Sequence, residues 1–151
     1  MKKVGILIVL ICINYKSEAQ HQGPVHWEYR IIRISASEFE VHMKADLDEG
    51  WHIYAQAQPE SAVAVPTKIL FAKNPVIIVK GKPREMGKLE KQNVAAIQIE
   101  QNMYEKDVDF VQLITLRRNV KSNLTGTVTY QACTDEMCLP SKTISFNLVI
   151  E

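Results

Sequence analysis

At 151 residues the chain holds one domain and hardly two, and 46% hydrophobic against 23% charged residues describes a folded globular chain rather than a disordered one. A net charge of +1, with Lys and Arg spread along the chain, excludes the concentrated basic face of a nucleic-acid binder. The one mild cluster, Lys80, Lys82, Arg84, Lys88 and Lys91, is interrupted by Glu85 and Glu90 and reads as a solvated face.

Lys2 and Lys3 precede an apolar run from Val4 to Ile13, then a polar stretch ending Ser17-Glu18-Ala19. A charged start, an apolar core and a small-x-small site are the parts of a cleaved export signal. The expected division is a signal peptide at residues 1–19 and a mature domain at 20–151. The run is shorter than the roughly 20 residues a membrane span requires. Cys12 falls in this region, but Ile11 before it is bulky where a lipidation site takes a small residue. Cleavage leaves Cys133 and Cys138, and an even pair in an oxidising compartment is expected to be joined. No later apolar run approaches membrane-spanning length, so the product is expected to be soluble and extracytoplasmic.

In Val25-His26-Trp27-Glu28-Tyr29-Arg30-Ile31 the large apolar residues take every other place. Glu38 to Leu47 repeats this, with Phe39, Val41, Met43, Ala45 and Leu47 on one side and polar residues on the other. Both are half-buried strands, and Ser35-Ala36-Ser37 between them predicts a hairpin. Asp48-Glu49-Gly50 is a turn, Trp51 to Tyr54 a short strand and Gln58 to Ser61 a loop. Thr67 to Ala72 and Val76 to Val79 read as strands parted by Asn74-Pro75. Gly81-Lys82-Pro83 and Gly87 break the next stretch, which reads as an irregular loop with a short strand near Leu89. Ala95 to Glu100 and Val108 to Leu116 are strands, and Asn119 to Asn123 is a turn. Leu124 to Gln131 and Thr143 to Ile150 are strands flanking the two cysteines. No segment carries a helical apolar stripe. Roughly eight to ten short strands with frequent turns predict an all-β, immunoglobulin-like antiparallel β-sandwich, without the Cys…Trp…Cys spacing of antibody domains.

The chemistry centres on Tyr130-Gln131-Ala132-Cys133-Thr134-Asp135-Glu136-Met137-Cys138-Leu139-Pro140. Bridging Cys133 to Cys138 closes a ring of six residues. Chain entropy makes that worth about 2 kcal/mol, against about 4.7 for a 100-residue loop. A domain of this size buries a substantial core without such a staple. The residues leave two readings open: a non-catalytic immunoglobulin-like binding module with a structural disulfide, or a thiol–disulfide exchange centre. Exchange needs reachable sulfurs, which a surface loop supplies, and it proceeds through a thiolate and a mixed disulfide. Asp135 and Glu136 place negative charge between the sulfurs and disfavour the thiolate, which predicts a slow thiol until a partner docks. His21, His26, His42 and His52 show no metal-ligand spacing with the cysteines, so no metal or other cofactor is expected. Trp27, Trp51 and Tyr54 read as core or rim aromatics.

Thr127-Val128-Thr129-Tyr130-Gln131-Ala132-Cys133, the acidic loop, Cys138-Leu139-Pro140 and the upstream Gly50-Trp51-His52-Ile53-Tyr54 resemble the N-terminal periplasmic domain of the thiol:disulfide interchange protein DsbD, from about Trp27 to Ile150. The resemblance implies a periplasmic sandwich carrying a redox-active cysteine pair. Such a pair accepts electrons from a thioredoxin-like domain, itself reduced through a membrane domain, and passes them to disulfide-bonded periplasmic proteins. By position, Cys138 would form mixed disulfides and Cys133 would resolve them. Tyr54 and His52 match positions flanking the pair, and Tyr130, Asp135 and Glu136 are further candidates for flanking or shielding it. The family's cap loop is expected between Met86 and Asn93. Two departures stand out. Four residues separate the cysteines, one fewer than is usual in the family. His52 stands where an aromatic is more common, either titrating near the sulfurs or lying as a surface histidine on a sheet edge. The 151 residues hold no Cys-x-x-Cys motif and no membrane domain, so the expected electron donor is a separate protein.

Overall fold

The computed structural model describes residues 23–94 and 98–151. The expected signal peptide, Cys12 and His21 lie outside them. Among the described residues there are eleven strands and no helix, in three antiparallel sheets.

The first hairpin follows directly from side-chain alternation. Strands β1 (Val25–Arg33) and β2 (Glu38–Leu47) pair from Val25 opposite Leu47 to Arg33 opposite Phe39. Phe39, Val41, Met43 and Ala45 are fully buried. Ser35 Oγ accepts the Glu38 N–H at 3.2 Å, which helps to fix the turn. The chain continues as β3 (His52–Tyr54), β4 (Lys68–Phe71), β5 (Ile77–Gly87), β6 (Glu90–Val94), β7 (Ile99–Tyr104), β8 (Asp107–Leu116), β9 (Ser122–Tyr130), β10 (Ala132–Cys133) and β11 (Lys142–Ile150).

One layer is the sheet β1-β2-β8-β5. The facing layer holds β10-β3-β7-β6 beside β11-β9-β4, joined where β9 passes through Gln131 into β10. Phe39, Phe110 and Ile114 from the first layer meet Ile53, Leu124, Val128, Tyr130 and Ile150 from the second in one core. Aromatic pairs cross the gap: Trp27 lies 5.4 Å from Tyr130 and Tyr29 lies 5.5 Å from Phe146 between ring centroids. This is the expected immunoglobulin-like antiparallel sandwich.

Two stretches differ from the expectation. Residues 81–87 are not an irregular loop but the second half of β5, which pairs with β8 on both sides of a bulge between Lys80 and Arg84. Gly81 takes φ 68° there. Pro83, which has no N–H to give, falls inside the bulge, where no ladder bond is required. Gln112 Nε2 donates to the Lys80 carbonyl at 2.8 Å and Gln56 Nε2 to the Pro83 carbonyl at 3.0 Å, so the bulged backbone keeps partners. Gly87 marks a close approach rather than a break, since an added Cβ would sit 2.8 Å from the Asp107 carbonyl oxygen. The strand expected at Ala95 to Glu100 is observed as β7 from Ile99 to Tyr104, and residues 95–97 lie outside the described residues.

Gly126 is required where β9 is paired on both edges, opposite Phe71 and Phe146. Those two rings meet edge to face at 5.7 Å. A Cβ at Gly126 would clash with the Leu70 carbonyl oxygen and lie 2.5 Å from Phe146 Cζ. Gly126→Ala is expected to cost about 1–3 kcal/mol through overpacking, read as a lower urea midpoint with unchanged slope. An unchanged midpoint would contradict this packing.

Candidate functional site

The cysteines face each other because the chain reverses between them. Cys133 ends β10, and Cys138 forms an isolated antiparallel bridge with it. Their sulfurs are bonded, with Cα atoms 4.0 Å apart. The Thr134 N–H donates to the Met137 carbonyl at 2.7 Å, and the Leu139 N–H to the Ala132 carbonyl at 2.9 Å. Thr134 Oγ1 accepts the N–H groups of Glu136 and Met137 at 3.2 and 3.1 Å, a local bond pattern that holds a polar turn without sheet partners. Gln131 Nε2 donates to the Leu139 carbonyl at 3.1 Å and ties the return strand to the outgoing one.

The two sulfurs have unlike surroundings. Cys133 is 0% exposed, whereas Cys138 is exposed, as are Asp135, Glu136 and Met137. Alternation explains the difference. Ala132 pairs with Ile53, and both enter the main core. Cys133 pairs with His52, so it points to the opposite face of the sheet. There Tyr54, Met103 and Cys133 form a second small cluster, with Ala64 packed on it. Tyr54 and Met103 meet because they are opposite in the β3–β7 register. Ala64 comes from the connection between β3 and β4, which is pinned over this face. Gln58 Nε2 donates to the Asn102 carbonyl at 2.7 Å, Ser61 Oγ accepts the Glu100 N–H at 3.2 Å, and Thr67 Oγ1 donates to the Tyr54 carbonyl at 2.6 Å.

His52 is buried, at 4% exposure, so the reading of it as a surface histidine is overturned. Pairing with Cys133 on β10 and the nearby intercysteine turn enclose a position that local sequence places at an edge. His52 Nε2 lies 3.3 Å from the Tyr54 hydroxyl, and the rings meet edge to face at 5.3 Å. Burial pushes the imidazole below its ordinary value, and the carboxylates of Asp135 and Glu105 pull the other way. The unfolded chain therefore takes up this proton at higher pH than the folded chain. Stability owed to the neutral ring is complete above about pH 6.5 and is lost as pH falls through the lower folded value. His52→Phe is expected to flatten the acid limb of a urea-midpoint profile taken from about pH 7.5 to 5. Parallel profiles would contradict it. Burial also raises the Tyr54 hydroxyl, opposed by a hydrogen bond with Gln101, so it stays protonated at neutral pH.

The structure thus brings together Cys133, Cys138, His52, Tyr54 and, through the turn, Asp135 and Glu136. Tyr130 does not join them: it faces the main core against Trp27. Residues 86–93 are strand ends and a short turn between β5 and β6, and among the described residues Ala64 of the 55–67 connection packs on the Cys133 cluster. Met103 and Ala64 were not legible in the sequence. Their contacts depend on long-range register and on a loop without periodic pattern.

The fold resembles the N-terminal periplasmic domain of ScsB from Proteus mirabilis, with TM-score 0.55 at 22% identity over 85% of this chain and 47% of that one. The chain therefore spans about half of that relative's length. The complex between the DsbD N-terminal and PilB N-terminal domains from Neisseria meningitidis matches with TM-score 0.50 at 13% identity, over 80% of each chain. The reduced Neisseria meningitidis DsbD N-terminal domain gives 0.49 at 14% identity, over 81% of this chain and 83% of that one. No curated protein sequence matches. The family model described as "Thiol:disulfide interchange protein DsbD, N-terminal" matches residues 24–150, and the chain belongs to that family.

Proposed function

We propose that this chain is a periplasmic thiol–disulfide exchange domain that relays two electrons through Cys133 and Cys138, from a thioredoxin-like donor to oxidised periplasmic proteins. The observation that carries this reading is the asymmetry of the bridge, one cysteine exposed and one fully covered. A donor thiolate attacks Cys138 Sγ. The Cys133–Cys138 bond breaks, and Cys133 leaves as a thiolate and takes a proton. The donor's second thiolate then attacks its own sulfur in the mixed disulfide and releases Cys138, so the donor is oxidised as this chain is reduced. Delivery reverses the order: Cys138 attacks a substrate disulfide, and Cys133 resolves the adduct by attacking Cys138.

The cover supports distinct roles for the neighbours. Tyr54, Met103 and Ala64 keep solvent from Cys133, so the resolving thiol meets only the sulfur already beside it. His52 is buried and its imidazole is pushed toward the neutral form, so it is a poor source of positive charge for a thiolate at neutral pH. Asp135 and Glu136 add negative charge. A thiol so placed reacts slowly with small molecules and awaits a docked partner. A relative of this fold forms a complex with another protein's domain, which fits a macromolecular partner.

Incubating the oxidised protein with a reduced thioredoxin-like dithiol protein, then alkylating, tests the reading. Both cysteines are expected to become alkylatable without denaturant. A pair that stays closed until the chain is unfolded would leave the alternative, a binding module with a structural bridge.

A further inference from the structure

Three turns meet at one end of the sandwich. The β2–β3 turn closes with a Trp51 N–H to Asp48 carbonyl bond at 3.1 Å and needs Gly50 at φ 79°. The β7–β8 turn carries Glu105 and Lys106, and the Lys106 carbonyl accepts the Leu47 N–H at 2.8 Å. The third is the turn between the cysteines. Between them lies a cleft of about 460 Å³ whose walls include Trp51, His52, Glu49, Glu105, Lys106 and Asp135.

The cleft is uneven in charge. It sets three lining carboxylates, on Glu49, Glu105 and Asp135, against one lining ammonium, on Lys106, with the Lys88 ammonium near enough to Glu105 to feel its charge. Among the described residues none of the three carboxylates is in an ion pair. Trp51 is half-buried and offers an indole wall, and the covered His52 ring lies close enough to feel both Asp135 and Glu105. Unpaired carboxylates beside an aromatic face are the chemistry that holds a guanidinium or an ammonium. Asp135 belongs to the intercysteine turn, three residues before Cys138 in the chain, which ties the cleft to the exchange site.

We propose, resting on exchange at Cys138, that this cleft receives an arginine or lysine side chain flanking the partner's cysteine and so selects partners with basic surroundings. The charged side chain steers the encounter and fixes the approach of the partner loop. An acidic flank meets three like charges and is disfavoured.

Three peptides of equal length, each with one cysteine flanked by Arg, Gln or Glu, test this on the oxidised mature protein, read as the rate of mixed-disulfide formation. At low ionic strength the Arg peptide is expected to react about tenfold faster than the Glu peptide, with Gln between. The spread shrinks at about 0.5 M salt, where screening is strong. In the Glu49→Gln/Glu105→Gln double variant the ratio of the Arg to the Glu rate is expected to fall to less than about half its native value, the Asp135 carboxylate remaining. Equal rates for the three peptides at low salt, or a preference undiminished in the double variant, would overturn the proposal. The same peptides with serine for cysteine separate cleft from chemistry, using tryptophan emission with Trp51→Phe as control. The Arg-flanked serine peptide is expected to bind more tightly than the Glu-flanked one whether or not the peptides exchange, whereas a bridge that a reduced thioredoxin-like protein cannot open would sink the relay alone. Equal binding would sink the cleft.

Discussion

Cys133→Ala is expected to turn a transient exchange into an accumulating covalent adduct joined through Cys138, while Cys138→Ala abolishes adduct and exchange together. The asymmetry follows from burial. Cys138 is exposed on the return strand, whereas Cys133 is 0% exposed beneath Tyr54, Met103 and Ala64, so an incoming thiolate reaches one sulfur and not the other. Once Cys138 holds a partner, only Cys133 lies close enough to resolve it, and its removal leaves the adduct standing. Non-reducing gels read both variants, each mixed as the free thiol with an oxidised, disulfide-bonded thioredoxin-like protein: the Cys138 thiolate opens the partner's disulfide, and alkylating the thiol so released leaves the adduct standing. The effect is near all-or-none: a near-stoichiometric shifted band for Cys133→Ala and background for Cys138→Ala. Trapping by Cys138→Ala alone would reverse the roles. Neither variant should unfold the domain, because a six-residue ring contributes only about 2 kcal/mol.

Phe110→Ala is expected to have the largest effect on stability and almost none on chemistry. Phe110 is fully buried on β8 and its ring stacks on Trp27 at 5.9 Å, and Trp27 in turn packs on Tyr130. Truncating such a ring costs about 3–5 kcal/mol out of the roughly 5–15 a domain possesses. For a domain of this size the melting temperature should fall by roughly 10–20 °C. At 25 °C the molecules that remain folded should exchange within about twofold of the native rate, because the Phe110 side chain faces the core and Cys133 the other side of its sheet. A melting temperature within a degree of native would contradict the packing. Loss of exchange in a folded sample would contradict the separation of core from site.

How much of this was legible in the sequence depends on whether local pattern or distant contact decides a residue's place. Strand β2 is read off its alternation because one face is core and the other is solvent. The cysteine hairpin is read for the same reason. Strand β5 is hidden by Gly81, Pro83 and Gly87, which look like punctuation. Their real roles, a left-handed bulge residue, a missing donor and a close approach to Asp107, require the partner strand to be known. Strand β7 is displaced because Gln101 and Asn102 blur its pattern. Gln101 is nevertheless buried, its side-chain Nε2 donating to Gln92 Oε1 at 3.1 Å.

The candidate site divides in the same way. Cys133, Cys138, Tyr54 and His52 were visible as a short motif and a resemblance, and the structure places them together. The burial of His52 was not visible, because the neighbours that enclose it, β10 and the intercysteine turn, lie far along the chain. Tyr130 is next to the motif in sequence, yet alternation turns it into the core. The acidic cleft is assembled from three turns far apart in the chain, so nothing local announced it.

The reduction potential of the Cys133–Cys138 bridge, measured in the native protein against a glutathione or thioredoxin-type buffer, tests the central claim most directly. A bond that opens and closes in service should equilibrate without denaturant and lie above about −300 mV. A value below that, or a bond that no protein dithiol can reduce while the sandwich stays folded, would make it a structural clamp and contradict the relay.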